Sequence, residues 1–321
     1  MKICLTTYIC GDKYQDFIPL IIYSVKKAYP DYYLMIFIKG KIRSDLNEII
    51  EILRTSLGGD FEIIEHTFDD CKIMTPIAAQ SFRWVVWSDK FLNFDYLYFI
   101  DADIFYIKEP IPLHEQHIRH MQYIGEKGIS NIVRVRETYA NMIIGLYNNY
   151  KYAGIKSIFY YFLHRRIFRM SGIHFVQVKE YYSKISRELL SKYKDIIYKG
   201  EIYKNTGFAN DEALLYNMIK ESGWDMSRFA FQKSSTSMFG FNNPEKKEFC
   251  PHHGIHLGIF RRDIQDIKSF AIKQLESDDY KYYIDQFKQC NMNDELFKMI
   301  FQMLSPNIKL YFNRMYQYYK L

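Results

Sequence analysis

Asp101 and Asp103 are separated by one alanine and directly follow the apolar stretch 96–100. Carboxylate oxygens are the ligands that hard divalent cations such as Mg²⁺ and Mn²⁺ prefer, and such a cation can in turn bind a diphosphate. Ala102 is small enough to let the chain turn between the two carboxylates. Alternatively, the two residues cap a turn after a strand, where aspartate is common. Spacing alone therefore leaves a metal site and a structural turn both open.

The segments before these aspartates alternate between strand and helix patterns. We predict strands over 2–9, 32–39, 61–66 and 96–100, and helices over 15–29, 43–56 and 76–92. Strands that alternate with helices form an open, mostly parallel α/β sheet with helices on both faces. Such sheets bind ligands beyond the carboxyl ends of their strands. Asp101 and Asp103 end the fourth predicted strand, so they stand where a ligand is expected.

The stretch DYLYFIDADIFYIKEP at 95–110 resembles the metal-binding strand end of GT-A glycosyltransferases. It is most similar to family 8, which includes glycogenin and the bacterial galactosyl- and glucosyltransferases of lipooligosaccharide assembly. The resemblance implies a GT-A domain over 1–262, with a Rossmann-like open mixed sheet. After residue 262 the pattern itself turns helical, with an apolar stripe from Ile264 to Leu275 and a second helix through DELFKMIFQML, so we predict a helical extension over 263–321 packed on that domain. The resemblance also implies that Asp101 and Asp103 bind Mn²⁺ or Mg²⁺ and that the donor substrate is a UDP-sugar.

Two further segments resemble donor-binding parts of the family. FRWVVWSDKFL, at 82–92, carries a basic residue in the helix before the metal-binding strand, which nominates Arg83 as a contact of the donor phosphate or sugar. MSGIHFVQV, at 170–178, resembles an N-S-G strand and matches it at Ser171 and Gly172, with Met170 in place of Asn. The resemblance therefore places Ser171 and Gly172 in the donor site.

The segment NDEALLYNMI, at 210–219, resembles the family's D-Q-x-x-L-N pattern near the sugar, with Asp211 retained and Glu212 where Gln is usual. Asp211 would hydrogen-bond the donor sugar, and Glu212 would lie near its reacting face. Glu212 could act as general base, which gives inversion, or stabilise a cationic intermediate, which gives retention; the family favours retention. A helix N-terminus with favourable acidic residues is compatible with both roles.

The segment HHGIHLGIFRR, at 252–262, resembles the family's H-F-x-G-x-x-K-P-W, in which the His is a metal ligand and the Lys contacts the diphosphate. His256 is the preferred third metal ligand and His253 the alternative. Gly258 is retained, and Arg261 or Arg262 stands in for the Lys.

The first predicted strand ends with Thr6, Thr7 and Tyr8. By the resemblance, these residues meet the uracil and ribose of UDP, with Tyr8 stacking on the base. The alternative is that the three residues simply end a strand.

Composition restricts the class of protein. The 321 residues are 48% hydrophobic, which is enough for a sizeable core, and the net charge of +6 is too small to argue for nucleic acid. Five scattered cysteines without metal-ligand spacing predict reduced thiols. The N-terminal segment lacks a signal-peptide pattern, and no apolar run is long enough to span a bilayer, so we predict a cytoplasmic protein.

Two segments are rich in both aromatic and basic residues. Residues 151–170 contain five basic residues and no acidic one and read as a helix, and the C-terminal IKLYFNRMYQYYKL has the same character. Both could lie on an anionic membrane surface, which would place the protein on the cytoplasmic face of the inner membrane. Alternatively, both pack on the protein with a basic edge in solvent.

Histidines elsewhere need a separate interpretation. His174, in a predicted apolar strand, is expected in the core rather than in catalysis. His114, His117 and His120 have a spacing that could bind zinc, but no fourth ligand is evident, so a solvated or acceptor-side helix is the preferred interpretation.

These observations predict a metal-dependent glycosyltransferase that moves a sugar from a UDP-sugar to a glycan or lipid-linked acceptor in surface polysaccharide synthesis. One alternative is a sugar nucleotidyltransferase, although no Gly-rich basic loop follows the first strand. The other is a catalytically silent GT-A protein that binds glycans. Against it stand the retained aspartates, which repel each other unless a cation is bound.

Overall fold

The computed structural model describes residues 1–72, 74–137, 142–164, 166–172, 174–207, 210–229, 253–267 and 269–321. The described strands are Ile3–Ile9 (β1), Tyr33–Ile38 (β2), Phe61–Ile64 (β3), Tyr96–Phe99 (β4), Ile104–Tyr106 (β5), Ile129–Ser130 (β6), Val133–Glu137 (β7), Arg166–Met170 (β8), His174–Gln177 (β9) and Gly254–His256 (β10).

The described α-helices are Asp12–Gln15 (α1), Ile18–Ala28 (α2), Asn47–Leu57 (α3), Pro76–Ser81 (α4), Leu113–Ile124 (α5), Met142–Ala153 (α6), Lys156–Leu163 (α7), Val178–Lys184 (α8), Arg187–Tyr198 (α9), Ile202–Thr206 (α10), Asp211–Glu221 (α11), Ser269–Leu275 (α12), Asp278–Gln286 (α13), Glu295–Met303 (α14) and Pro306–Tyr319 (α15). Short 3-10 helices cover Ser44–Leu46, Phe82–Trp84, Asp89–Asn93, Met226–Phe229, Leu257–Arg261 and Ile264–Asp266, and a π-helical turn covers Phe287–Asn291.

Six strands form a mixed sheet in the order β3-β2-β1-β4-β9-β6. The pairs β2–β3 and β1–β4 are parallel, whereas β4–β9 and β6–β9 are antiparallel. Two further antiparallel ribbons, β5 with β10 and β7 with β8, each form a separate two-stranded sheet. Helices flank the mixed sheet, so the predicted α/β class is confirmed.

The chain divides into two compact units. Unit 1 consists of the described residues of 1–8, 66–100 and 117–235, and unit 2 of those of 9–65, 101–116 and 236–321. Unit 1 contains β4, β6 and β9 with most of β1, and the ribbon β7–β8. Unit 2 contains β2, β3 and the ribbon β5–β10. Each unit contains residues from several parts of the chain.

Two predicted helices are interrupted. The helix predicted over 76–92 is α4 followed by two 3-10 segments, and the chain leaves helical geometry at Val85, where φ is −120°. Consecutive β-branched and aromatic residues in VVW lose side-chain freedom in a helix, which disfavours its continuation. The helix predicted over 151–170 ends at Ala153, resumes as α7 after Gly154 with φ +72°, and is replaced by β8 from Arg166.

The helices predicted after residue 262 are confirmed as α12 to α15. They build the aromatic core of unit 2 around Phe105 of β5. The ring of Phe105 lies edge-on to Phe287, Phe297 and Phe312 at centroid distances of 5.3, 5.8 and 6.1 Å. Edge-to-face rings of this kind stabilise a core beyond their buried area alone. The C-terminal helices are therefore part of the core that holds β5.

No helix in the described part of the chain is long and apolar enough to cross a membrane. Cys4, Cys10, Cys71 and Cys290 are thiols, as predicted. Cys250 lies outside the described residues.

Candidate active site

Asp103 and His256 are brought together by the ribbon of β5 and β10 in unit 2. Asp103 immediately precedes β5, and His256 ends β10 opposite Ile104. A backbone hydrogen bond from Leu257 N–H to the Asp103 carbonyl, 2.9 Å long, extends the pairing by one residue. Asp103 Oδ2 consequently lies 3.3 Å from His256 Nε2. Two of the three predicted metal ligands are thus adjacent.

Gly258 gives the Asp103 carboxylate its space. A Cβ at this position would lie 1.9 Å from Asp103 Oδ2 and 2.9 Å from His256 Nε2, far inside contact distance. A glycine is needed here because the backbone passes directly against the carboxylate. This close approach explains why position 258, which the sequence resemblance singled out, is a glycine.

Arg261 is the arginine that reaches Asp103. Its Nη2 lies 3.8 Å from Asp103 Oδ2, its Nη1 donates to the Tyr14 hydroxyl at 2.9 Å, and its Nε donates to the Gly258 carbonyl at 3.0 Å. Burial alone would lower the pKa of Arg261, but the charge of Asp103, the hydrogen bond to Tyr14 and the nearby Tyr311 together raise it. Arg261 and Arg262 are both exposed, so the approach of Arg261 to Asp103 decides between them. The cation predicted beside the carboxylate is therefore assigned to Arg261.

The C-terminal helices hold the loop that carries His256 and Arg261. The hydroxyl of Tyr280, in α13, accepts a 2.8 Å hydrogen bond from the His256 backbone N–H. Arg314, in α15, donates to the carbonyls of Phe260 and Arg261 at 3.2 and 2.8 Å. The predicted C-terminal extension thus contributes directly to the placement of this loop.

His253, the alternative metal ligand, lies in a different environment. It is fully buried, and its Nδ1 lies 2.7 Å from Glu109 Oε2. Glu109 also accepts hydrogen bonds from Tyr283 and Gln116. Burial alone would raise the pKa of Glu109, but His253 and these hydrogen bonds lower it below its ordinary value. His253 thus belongs to a buried polar network, which leaves His256 as the histidine beside Asp103.

Of the three predicted metal ligands, Asp101, Asp103 and His256, the structure brings Asp103 and His256 together. Asp101 is half-buried, and no group of three His, Cys, Asp or Glu side chains in the described part of the chain is arranged to hold a metal. The Asp103 carboxylate suits either Mn²⁺ or Mg²⁺, and of these two ions the His256 imidazole favours the softer Mn²⁺. The role of Asp101 remains a prediction.

In unit 1, Arg83 forms a buried ion pair with Asp211. Arg83 Nη2 lies 2.7 Å from Asp211 Oδ2, and each side chain is about nine-tenths buried. Burial raises the pKa of Asp211, and the charge of Arg83 only partly offsets that effect. Asn210 caps α11 by accepting from Ala213 N–H at 2.9 Å, which fixes Asp211 in the first helical turn. Arg83 therefore contacts the predicted sugar-binding carboxylate.

Glu212 is held by two arginines that sequence analysis did not single out. Arg134 of β7 and Arg169 of β8 are directly opposite in the ribbon. Arg134 forms an ion pair with Glu212 Oε1, and Arg169 Nη1 lies 3.4 Å from Oε2. Burial alone would raise the pKa of Glu212, but these two arginines together with Arg83 lower it below the ordinary value. The carboxylate is therefore ionised and fixed in orientation.

Thr6, Thr7 and Tyr8 are buried at the end of β1. The Tyr8 hydroxyl donates to the Thr67 carbonyl at 3.3 Å, and its ring lies 5.6 Å from Phe68 and 5.4 Å from Phe82 between centroids. These contacts are what a strand end in the core requires. Stacking of Tyr8 on a base remains a prediction.

Ser171 and Gly172 connect β8 to the segment before β9. The Ser171 N–H donates to Asn131 Oδ1 at 2.9 Å, and Asn131 Nδ2 donates to the Ser171 carbonyl at 3.1 Å. A side-chain amide supplied by Asn131 therefore fixes the backbone here, whereas Met170, at the position of the family's Asn, is fully buried.

Three further histidines, His117, His120 and His174, are buried. His174 lies in the core as predicted, and burial lowers its pKa to about 3. His117 and His120 were predicted on a solvated face, but both are buried, with Nδ1 atoms 2.8 and 3.0 Å from Ser130 Oγ. The solvated interpretation is wrong for these two, because α5 turns this side toward Ser130 of β6.

Comparisons with known proteins find likeness in fold rather than in sequence. No family model and no curated protein matches the chain. An active-site variant of LgtC is 13% identical with a TM-score of 0.41, covering 67% of this chain and 69% of its own. GlyE of Streptococcus pneumoniae TIGR4 is 12% identical with a TM-score of 0.41, covering 90% of this chain and 64% of its own. The bifunctional glycosyltransferase WbbM is 11% identical with a TM-score of 0.39, covering 98% of this chain and 52% of its own.

Proposed function

We propose that this chain is a GT-A glycosyltransferase that transfers a sugar from a UDP-sugar to a glycan or lipid-linked acceptor. The observation that carries the proposal is the 3.3 Å approach of Asp103 and His256, two residues far apart in the chain that the sequence resemblance nominated independently as metal ligands. The glycine and arginine that the same motif nominated also contact Asp103. If Asp101 and Asp103 only capped a turn after the strand, a histidine, a glycine and an arginine from a distant segment would not be needed beside Asp103.

The difficult event in such a transfer is departure of the diphosphate from the anomeric carbon. Negative charge develops on the leaving group, so fixed positive charge beside it stabilises the transition state. Mn²⁺ or Mg²⁺ held by Asp103 and His256, with Asp101 as predicted third ligand, would supply Lewis-acid charge there. Arg261 would supply permanent charge, since its guanidinium is already directed at Asp103.

Asp211 and Glu212 receive different roles from their partners. Asp211, oriented by Arg83, is suited to accept a hydrogen bond from a sugar hydroxyl. Glu212 is a weak general base, because the arginines around it lower its pKa and stabilise its ionised form. We therefore assign Glu212 to orientation of the donor rather than to deprotonation of the acceptor, and we propose retention, in agreement with the family resemblance. Determination of the anomeric configuration of the product by NMR tests that assignment.

The experiment that tests the function is thermal unfolding with UDP, UDP-sugars and nucleoside triphosphates, each with Mn²⁺ and with a chelator. A ligand at 100 times its dissociation constant stabilises a protein by about 2.7 kcal/mol. We expect a Mn²⁺-dependent shift with UDP that is larger for one UDP-sugar. The shift should disappear in Asp103→Asn and persist in the control Asp278→Asn, whose carboxylate is fully exposed.

Other outcomes point to other functions. A shift with nucleoside triphosphate and none with UDP would indicate a nucleotidyltransferase, and release of pyrophosphate would establish it. No shift with any nucleotide would favour the silent glycan-binding protein. A UDP shift that Asp103→Asn leaves unchanged would refute the assigned metal site.

A further inference from the structure

A helical hairpin is inserted between two paired strands of unit 1. Helices α6 and α7 follow β7 and precede β8, and Gly154, with φ +72°, allows the turn between them. The Ser157 hydroxyl donates to the Gly154 carbonyl at 2.6 Å and fixes the start of α7. The hairpin is therefore a helical insertion in the ribbon that carries the arginines beside Glu212.

One side of the hairpin is packed on unit 1. Tyr161 is fully buried and packs with Ile167 of β8 and Ala213 of α11, and Leu146 of α6 lies against this cluster. Ser157 is also fully buried. These contacts attach one side of the hairpin to the rest of unit 1, so the opposite side points away from them.

The opposite side exposes large apolar side chains. Sixteen large hydrophobic residues are exposed in the described part of the chain, and seven of them lie in the hairpin. Six are in the two helices, namely Ile143, Tyr147, Tyr150, Phe159, Phe162 and Leu163, and Ile155 is in the turn between them. Ile143 is 80% exposed and Phe159 is 64% exposed. A concentration of exposed apolar groups on one element marks an interaction surface, whereas scattered ones do not.

The charge of the same segment is one-sided. Residues 138–179 contain no Asp or Glu but six basic residues, Lys151, Lys156, Arg165, Arg166, Arg169 and Lys179. The side chains of Lys151 and Lys156 are exposed in the hairpin itself. Apolar side chains flanked by lysines, without any acidic residue, complement a surface with an anionic outer layer and an apolar interior.

We propose that the exposed face of the α6–α7 hairpin docks on the anionic surface of a lipid bilayer. Its apolar side chains would enter the boundary between headgroups and acyl chains, and its lysines would meet lipid phosphates. The C-terminal helix α15 does not offer the same surface, because Ile308, Phe312 and Met315 are buried in unit 2. Of the two aromatic-basic segments, the hairpin is therefore the one that binds the membrane.

Docking requires neither a nucleotide nor a metal, so its test is independent of the proposed transferase activity. Sedimentation of the full chain with vesicles of phosphatidylcholine, with and without phosphatidylglycerol, measures binding directly. We expect binding to the anionic vesicles. The triple variant Ile143→Ser, Phe159→Ser and Leu163→Ser should reduce it at least about tenfold, because burial of apolar area in the interface drives such binding.

A matched control removes three exposed apolar side chains elsewhere. Leu92, Met299 and Leu310 are 56%, 47% and 44% exposed, and their combined replacement by Ser should leave vesicle binding within about twofold of the unmodified chain. The double variant Lys151→Glu and Lys156→Glu should weaken binding to anionic vesicles selectively, since each basic residue near the membrane contributes roughly fivefold. Circular dichroism checks that every variant keeps its helices.

Three results would overturn the proposal. The first is no binding to anionic vesicles, and the second is equal binding by the hairpin and control triple variants. The third is self-association of the unmodified chain without lipid that the hairpin variant abolishes. That outcome would assign the face to a second copy of the chain.

Discussion

The buried ion pair of Arg83 and Asp211 gives a prediction whose magnitude follows from its environment. Their atoms are 2.7 Å apart, and the two side chains are only 10% and 8% exposed. Removal of one partner from a buried pair leaves an uncompensated charge, which typically costs about 3–5 kcal/mol. We therefore expect Arg83→Met to lower the free energy of unfolding by about 3–5 kcal/mol at pH 7. The loss includes the contact of the guanidinium with the Trp84 ring, 4.2 Å away.

The double variant Arg83→Met and Asp211→Asn separates charge from packing. It removes both charges, and neutral replacement of a buried pair is often tolerated, so it should recover most of the lost stability. Lys298→Met is the control, because its ion pair with Glu295 is exposed and contributes at most about 0.5 kcal/mol. Urea unfolding measures all three variants.

The pH dependence of the single variant has a defined sign. Burial raises the pKa of Asp211 in the folded chain, and loss of Arg83 raises it further. An acid whose pKa is higher in the folded state binds its proton more tightly there, so a lower pH favours folding. The deficit of Arg83→Met relative to the unmodified chain should shrink as the pH falls from 7 toward the ordinary carboxyl range near 4. A loss no larger than the Lys298→Met control, or one that is unchanged by pH and by Asp211→Asn, would refute this reasoning.

Two further predictions concern unit 2. Gly258→Ala would place a methyl group 1.9 Å from Asp103 Oδ2 and should weaken Mn²⁺ binding at least about tenfold by displacing a ligand, measured by electron paramagnetic resonance. Gly59→Ala, where the methyl group meets no atom within 4 Å, is the control, and equal Mn²⁺ affinities would contradict the assignment. Glu109→Gln removes a buried charge beside His253 and should destabilise the chain by about 3–5 kcal/mol in urea. Folding lowers the pKa of Glu109, so the stability that its carboxylate contributes is complete above the ordinary Glu range and is lost as the pH falls through the folded-state pKa. A difference in stability between the unmodified chain and Glu109→Gln that persists at pH 2 would contradict that role.

Local patterns in the sequence determined the fold class and the two motifs that meet at Asp103. Strand and helix periods are properties of a few consecutive residues, so β1 to β4, α2 and α3 could be predicted close to their observed bounds. The motif around His256 is likewise local, and it named Gly258 and an arginine before their contacts were known. The predicted helices are interrupted at Val85 and Gly154, where φ is −120° and +72°, and these backbone angles are not part of a hydrophobic pattern.

Tertiary structure alone decided which charges meet. Arg134 and Arg169 lie in unremarkable basic stretches, and only the pairing of β7 with β8 directs both at Glu212. Tyr280 supports His256 through a contact that no spacing in the sequence encodes. The exposed apolar face of the α6–α7 hairpin also emerged only from packing, since burial of Tyr161 fixes which side faces outward. Sequence spacing reports neighbours within an element, whereas contacts between distant segments depend on how the elements pack.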